Sequence, residues 1–136
     1  MLKNETENIV RILKVHFPYV EAIYLFGSQA IGADTQNSDV DVAFFTLHDD
    51  VIAPLRVYDA QKELEVFLHK DVDLVHLQSA STVFQFQVIT TGIHLYVRNP
   101  SFLLQQETLV FSMYQRLNEE RKEILNDIVS SGKIYS

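Results

Sequence analysis

Two aspartates separated by one residue, Asp39 and Asp41, stand at the start of an apolar run that extends to Phe45. Carboxylates are depleted in β-strands because a half-buried charge loses its hydration. Side chains alternate along a strand, so both aspartates are expected on one face. Two like charges that close raise each other's pKa unless a cation lies between them. The pair therefore predicts a divalent metal site, and Mg²⁺ commonly combines carboxylate ligands with substrate phosphates and water.

A glycine and a serine, Gly27 and Ser28, end the preceding apolar run, with ten residues between them and Asp39. Glycine permits a close approach of the backbone, and a serine hydroxyl with neighbouring N–H groups can hold an anion. Ser28 is also a good N-cap residue for a following helix, and the two roles are compatible. Together with the aspartates, this turn predicts a site for the triphosphate of a metal-bound nucleotide.

A third carboxylate is expected from the segment Asp71–Leu77, in which apolar residues alternate with period 2. Two-metal nucleotidyl transfer uses carboxylates around two cations roughly 3.5 to 4 Å apart. Asp73 lies inside the segment, whereas Asp71 lies at its start, where solvation is easy. We therefore expect Asp39, Asp41 and Asp73 to hold two Mg²⁺ ions. The alternative for Asp73 is a charge on an edge strand, and that alternative is favoured for Asp71.

Hydrophobic periodicity predicts four helices and four strands in the order α-β-β-α-β-α-β-α. The predicted helices cover Glu5–Phe17, Val51–His69, Ser81–Thr91 and a long segment after Pro100; the predicted strands cover Val20–Phe26, Val40–Phe45, Asp71–Leu77 and Ile93–Val97. Residues 29–38 are expected to form a short helical turn and then a polar loop. That connection is too short for a crossover helix, so the first two strands are expected to be antiparallel. The fold class is α/β in the broad sense (α+β), a small mixed sheet flanked by helices.

Length, charge and composition limit the classes of function. The chain has 136 residues, a net charge of −7 and no cysteine, which excludes disulfides and thiolate metal sites. Its polar start predicts no signal peptide, and no apolar run is long enough for a membrane span, so a cytoplasmic protein is expected. The sequence contains no block of lysines and arginines that would predict a basic surface for binding long nucleic acid. A compact acceptor or a basic partner protein is favoured instead.

Two groups of residues are given structural roles. The histidines show no metal-ligand spacing and are expected at the surface or at helix ends: His16, His48, His69, His76 and His94. Five phenylalanines are expected in the core: Phe26, Phe44, Phe45, Phe84 and Phe86. The last helix is amphipathic, with apolar residues at Leu109, Met113, Leu117, Ile124 and Ile128. It either covers the sheet or docks another protein.

The spacing of Gly27-Ser28, ten residues and Asp39-Val40-Asp41 resembles the signature of the DNA polymerase beta-like nucleotidyltransferase superfamily. Within it, the short chain resembles the minimal nucleotidyltransferases, the MNT antitoxins encoded beside HEPN toxins. The resemblance implies a nucleotidyltransferase domain over 1–98 and a C-terminal helical extension over 99–136 packed on it. It also implies that the chain binds a HEPN ribonuclease and transfers AMP from ATP to a tyrosine hydroxyl of that toxin, releasing pyrophosphate. Asp73 matches a metal ligand or general base of related enzymes.

The chain departs from the family pattern at one position, and two other functions stay open. Many relatives carry an arginine three residues after the motif serine, where this chain has Ile31. Its absence leaves the triphosphate charge to Mg²⁺ and to another basic residue. One alternative is nucleotidyl transfer to a small molecule such as an aminoglycoside, although 136 residues leave little room for an acceptor domain. The other is an antitoxin that acts by binding alone.

Overall fold

The computed structural model describes residues 3–30, 32, 39–47 and 51–131. The elements are α1 (Lys3–His16), β1 (Val20–Phe26), a 3₁₀ turn (Gly27–Gln29), β2 (Val40–Thr46), α2 (Pro54–Leu68), β3 (Val72–His76), a second 3₁₀ turn (Leu77–Ser79), α3 (Thr82–Thr91), β4 (Ile93–Val97) and α4 (Pro100–Ser131). The predicted order of helices and strands is confirmed. The predicted polar loop up to residue 38, with Ile31, and His48 lie outside the described residues.

The four strands form one mixed sheet in the order β3-β2-β1-β4. β1 is antiparallel to β2, as predicted, and antiparallel to β4, while β2 and β3 are parallel. A parallel pair needs a crossover connection, which α2 provides. Consequently the amino ends of β2 and β3 lie at the same edge of the sheet as the carboxyl end of β1.

One face of the sheet packs against α1 and α2. Its core contains Val40, Val42 and Phe44 of β2, and the ring of Phe44 stacks on that of Phe17 with centroids 4.6 Å apart. The opposite face of β2 carries Ala43 and Phe45, which belong to a second core beneath α3 and α4. This alternation is the one predicted from period 2. It assigns Asp41, the aspartate of β2, to the face beneath α3 and α4.

The outer edge of β3 is protected by side chains from α2. Gln61 accepts a hydrogen bond from the backbone N–H of Leu74, and Glu65 accepts one from the N–H of Val72, both at 3.1 Å. Unpaired edge N–H groups are otherwise available to another strand. The α2 side chains therefore hold β3 in place and block further pairing along these two positions.

The exposed face of α2 differs from the predicted one. The helix begins at Pro54 and not at Val51, because a proline favours an extended conformation for the residue before it. Leu55 and Tyr58 belong to the apolar residues whose helical period predicted this helix, but they are 67% and 52% exposed. The buried residues are Ala60 and Leu64. A small alanine allows α2 to pack closely, which a pattern based on large apolar residues does not reveal.

His76 is buried and not at the surface as expected. Its two ring nitrogens lie 3.0 Å from Thr46 Oγ1 and 2.7 Å from Ser79 Oγ. Gln78 makes hydrogen bonds to the backbone N–H and C=O of Thr46, at 3.0 and 2.6 Å. These hydrogen bonds satisfy polar groups that would otherwise be costly to bury. The cluster closes the sheet at the edge opposite the aspartates.

The long helix α4 begins where Asn99 and Pro100 predicted a boundary. Asn99 Oδ1 accepts hydrogen bonds from the N–H groups of Ser101 and Phe102, which caps the helix. Its buried residues are Leu103 and Val110, whereas Leu109 and Met113 of the predicted apolar stripe are 53% and 41% exposed. Among the described helices, none combines the length and apolar character needed to cross a membrane.

Gly92 ends α3, but not in the left-handed conformation expected of a C′ glycine. Its φ of −80° and ψ of 166° are extended. A Cβ at this position would lie 2.6 Å from the carbonyl oxygen of Val88 and 3.2 Å from that of Leu25. Glycine is therefore required mainly by the Val88 carbonyl in the last turn of α3, and also by the close approach to β1.

We expect Gly92→Ala to lower the free energy of unfolding by up to about 3 kcal/mol, because backbone atoms must move to admit the methyl group. Urea denaturation measures this change. Gly32→Ala is the matched control, since its Cβ would meet none of the described atoms within 4 Å and the φ of +73° is its unfavourable feature. If Gly92→Ala were no more destabilising than Gly32→Ala, crowding by the carbonyl oxygens of Val88 and Leu25 would not be the constraint.

Candidate active site

The sheet register brings two of the predicted carboxylates together. Asp41 of β2 is directly opposite Asp73 of β3 in the parallel pair. Phe26, the last residue of β1, pairs with Asp41 from the other side. Gly27 follows Phe26, so the glycine turn and both aspartates lie at the same end of three neighbouring strands. We call this end of the sheet the aspartate edge. Asp39 precedes β2 by one residue and is exposed.

Gly27 lies directly against the Asp41 carboxylate. A Cβ built on Gly27 would be 2.1 Å from Asp41 Oδ2, and the φ of Gly27 is +71°. Both facts require glycine, because other residues rarely adopt this conformation and none has room for a side chain. The backbone of the turn thus lies against a carboxylate oxygen of Asp41, a close approach that the sequence analysis had assigned to a phosphate.

Ser28 lies inside the 3₁₀ turn Gly27–Gln29. The position before the turn is Phe26, which makes no side-chain capping hydrogen bond. The backbone N–H of Ala30 donates to the carbonyl oxygen of Gly27 at 3.1 Å, which closes the turn. Ser28 is therefore not the N-cap of this turn, and it follows directly after Gly27, whose backbone lies against Asp41.

The three carboxylates interact electrostatically. Burial raises the pKa of the Asp41 carboxyl, and the negative charges of Asp73 and then Asp39 raise it further. Asp41 is half-buried, while Asp73 is exposed. This is the condition in which a cation is most strongly attracted, because it removes the repulsion that burial makes costly.

The donor set suits a hard divalent cation, although it is not a complete cage. Within residues 3–30, 32, 39–47 and 51–131, no three acidic or histidine side chains already converge closely enough to form a metal cluster. Mg²⁺ is usually held by one or two carboxylates, with substrate phosphates and water supplying the other ligands. Asp41 and Asp73 fit that pattern, and Asp39 is near enough to affect the charge of Asp41.

An aromatic pair that the sequence did not reveal lies next to the turn. The ring of Phe84 in α3 meets that of Phe26 edge to face, with centroids 5.6 Å apart. The two rings separate the Gly27 turn from the core beneath α3. Both residues were assigned to the core, and both are only partly buried. Their pairing depends on how α3 crosses the sheet, which local periodicity does not specify.

The arrangement therefore offers clustered carboxylates and a tight glycine turn at an open sheet edge. Over residues 7–101 the chain matches the family model described as "Polymerase beta, Nucleotidyltransferase". The chain belongs to the polymerase beta nucleotidyltransferase family. Its mixed sheet with flanking helices and long last helix agrees with that family and with the fold class predicted from sequence.

Several relatives resemble this nucleotidyltransferase over most of its length. It is 37% identical over 124 residues to the protein adenylyltransferase MntA of Shewanella oneidensis, covering 90% of this chain and 86% of that protein. A crystal structure of a toxin-antitoxin with AMP-PNP has a chain that is 35% identical, with a TM-score of 0.79 and coverage of 91% and 98%. In a complex of an MNT antitoxin with a tri-AMPylated Shewanella oneidensis HEPN toxin, a chain is 32% identical, with a TM-score of 0.77 and coverage of 95% and 99%. The predicted resemblance to MNT antitoxins is confirmed.

We expect Asp41→Asn to stabilise the nucleotidyltransferase when divalent cations are removed with EDTA. A folded-state pKa raised above 3.8 means that the folded chain gains stability from protonation of Asp41 and loses it as the pH rises through that pKa. At pH 7.5 the charged form is present, so the neutral asparagine relieves the cost. Urea denaturation of both proteins measures the difference, with Asp59→Asn on exposed α2 as the control. A less stable Asp41→Asn protein would contradict the electrostatic account.

We expect Gly27→Ala to weaken binding of Mg²⁺·AMP-PNP by at least about tenfold, because its methyl group would displace the Asp41 carboxylate and strain the turn. Isothermal titration calorimetry measures the dissociation constant. Gly32→Ala, which has a similar φ of +73° but open space around its Cβ, is the matched control. Equal affinities of the two variants would show that contact with Asp41 is unimportant.

Proposed function

We propose that the chain is an antitoxin that transfers AMP from ATP to a tyrosine hydroxyl of a cognate HEPN ribonuclease toxin, releasing pyrophosphate. The observation that carries this proposal is the meeting of Asp41, Asp73 and the Gly27 turn at one open edge of the sheet. It is supported by the relatives, one named a protein adenylyltransferase and others solved with AMP-PNP or with an AMPylated toxin. The proposed catalytic domain is 1–98, and 99–136 is its helical extension.

In this proposal Asp39, Asp41 and Asp73 hold two Mg²⁺ ions, and Gly27 and Ser28 contact the ATP phosphates. Bound Mg²⁺ would neutralise the triphosphate and lower the pKa of the attacking hydroxyl. The half-buried Asp41 is held in one orientation by the Gly27 turn, which suits a ligand that must be preorganised. Because Asp73 is exposed, it can be reached by an acceptor from outside the protein.

The chemistry exchanges one phosphorus–oxygen bond for another. The tyrosine oxygen attacks the α-phosphorus of ATP, a new P–O bond forms, and the bond from that phosphorus to the β-phosphate bridging oxygen breaks. The phenolic proton is accepted by a nearby carboxylate, and we assign this role to Asp73, because it is exposed. Pyrophosphate carries away the electron pair of the broken bond. The added phosphate on the toxin brings negative charge, which repels RNA.

The proposed reaction is tested with the HEPN protein encoded beside this chain. The two purified proteins are incubated with ATP and Mg²⁺, and the toxin is examined by intact-mass spectrometry and by peptide mapping. We expect mass increases of whole adenylates on a tyrosine, together with loss of ribonuclease activity. An aminoglycoside is offered in a parallel reaction, and label on the drug without label on the toxin would assign the chain to small-molecule transfer.

We expect Asp73→Asn to reduce the adenylylation rate by about 10²-fold or more, because a proton acceptor or metal ligand is lost. Asp71→Asn is the matched control, since Asp71 lies two residues earlier and precedes β3; its rate is expected to stay within about threefold of the unsubstituted protein. The rates are measured from single-turnover time courses. If both variants protected cells from the toxin while neither added adenylate, neutralisation by binding alone would replace the enzymatic proposal.

A further inference from the structure

The first half of α4 runs along the sheet toward the aspartate edge. Glu107 Oε1 accepts a hydrogen bond from the Tyr24 hydroxyl at 2.7 Å and lies 3.0 Å from His94 Nε2. Tyr24 and His94 are paired in the sheet. α4 begins three residues after Val97, the last residue of β4, which pairs with Ala22 at the end of β1 opposite the Gly27 turn. The direction from Pro100 to Glu107 is therefore the direction from Ala22 toward the Gly27 turn.

The second half of α4 extends beyond that edge. A strand rises about 3.3 Å per residue and a helix 1.5 Å, so roughly five helical residues after Glu107 reach the level of Phe26 and Asp41. The ring of Tyr114 stacks on Phe86 of α3 with centroids 3.8 Å apart. From residue 115 to 130 none of the described side chains is buried. We call this segment, 115–130, the arm; it is about 24 Å long.

The arm continues the apolar stripe by which α4 packs on the sheet. Leu117 and Ile124 follow the buried Leu103 and Val110 at intervals of seven residues, which is almost two helical turns. Ile124 is 58% exposed, and so is its neighbour Leu125. An isolated helix of this length is marginal in water, and its stability comes from packing an apolar face. The arm thus presents a packing surface beside the site where the acceptor must enter.

The charges along the arm indicate which kind of partner it fits. Glu120, Glu123 and Asp127 lie at i, i+3 and i+7 and form an acidic row on one side of the stripe. Arg116 precedes this row by one turn, and Arg121 lies on the other side of the stripe, so the acidic part of the arm is the segment 120–127. A ribonuclease needs a basic surface around its active site to bind RNA phosphates. An acidic row next to an apolar stripe complements such a surface and offers less to a second copy of a chain whose net charge is −7.

We propose that the arm is the docking surface for the acceptor protein, and that it brings the tyrosine of the toxin to the aspartate edge. This inference rests on the proposed function. The apolar stripe of Leu117 and Ile124 supplies the contact area, and the acidic row aligns the basic surface of the toxin. The groove at the base of the arm, about 410 Å³ and lined by Phe86, Phe111 and Tyr114, receives an apolar side chain of the toxin.

The test compares Ile124→Glu with Asn126→Glu, which adds the same charge on the opposite side of the helix. Binding of the toxin is measured without ATP by calorimetry, and adenylylation is measured over a range of toxin concentrations. Ile124→Glu is expected to weaken toxin binding and raise the apparent KM for toxin by about tenfold or more, as for loss of an interface anchor. The kcat at saturating toxin and the affinity for AMP-PNP are expected to stay unchanged. Asn126→Glu is expected to change each quantity less than about twofold, and Ile124→Leu to restore binding.

The outcomes separate the arm from the reaction. Weaker toxin binding by the Ile124→Glu variant supports the arm, whether or not adenylate is added. Absence of adenylate on the toxin with the unsubstituted protein contradicts the catalytic proposal alone. Normal adenylylation with equal KM values for both variants overturns the arm and leaves the catalytic proposal intact. Light scattering of the chain alone provides the remaining comparison. A dimer that dissociates on Ile124→Glu would assign the stripe to a second copy and overturn the docking proposal. Circular dichroism confirms that each variant keeps its helix content.

Discussion

The parallel pairing of β2 with β3 imposes the constraint on which this structure depends, because it sets Asp41 opposite Asp73. Two neighbouring carboxylates at a partly buried edge repel each other, and the raised pKa of Asp41 reflects that cost. The opposite face of the same strands stabilises the arrangement through buried residues such as Val42 and Leu74. The sheet can therefore hold an unfavourable charge pair in place, and the proposed Mg²⁺ and triphosphate would compensate for it.

Gly27 influences where the Asp41 carboxylate can lie. Its missing side chain lets the backbone lie against Asp41 Oδ2, which limits the positions that the carboxylate can occupy. The turn also ends β1 at the level where β2 begins its pairing, through Phe26 and Asp41. One residue therefore connects the end of a strand, the orientation of a ligand and the approach to a phosphate. This explains why a Gly–Ser turn and an Asp-X-Asp pair are informative together and weak separately.

Sequence reasoning succeeded where the relevant physics is local. The bounds of β1 follow from its β-rich composition, the faces of β2 follow from period 2, and the start of the last helix follows from the boundary at Asn99-Pro100. It failed where packing between distant elements decides. The inward face of α2 centres on Ala60, His76 is buried beside Thr46 of β2, and Gly92 is needed because backbone carbonyls of α3 and β1 lie close to it. Asp73 could be chosen over Asp71 by position, but its partner on β2 required the register.

The long last helix shows how one pattern serves two environments. Leu103 and Val110 bury the stripe against the sheet, and Glu107 fixes its direction through the buried Tyr24 hydroxyl, whose pKa is raised by burial and by that carboxylate. These contacts anchor the helix at its base, so its first turns are already formed and each further turn costs little. Apolar residues continue past the last buried contact and favour packing against another molecule. Because α4 is anchored beside the proposed catalytic site, such packing would position an acceptor there.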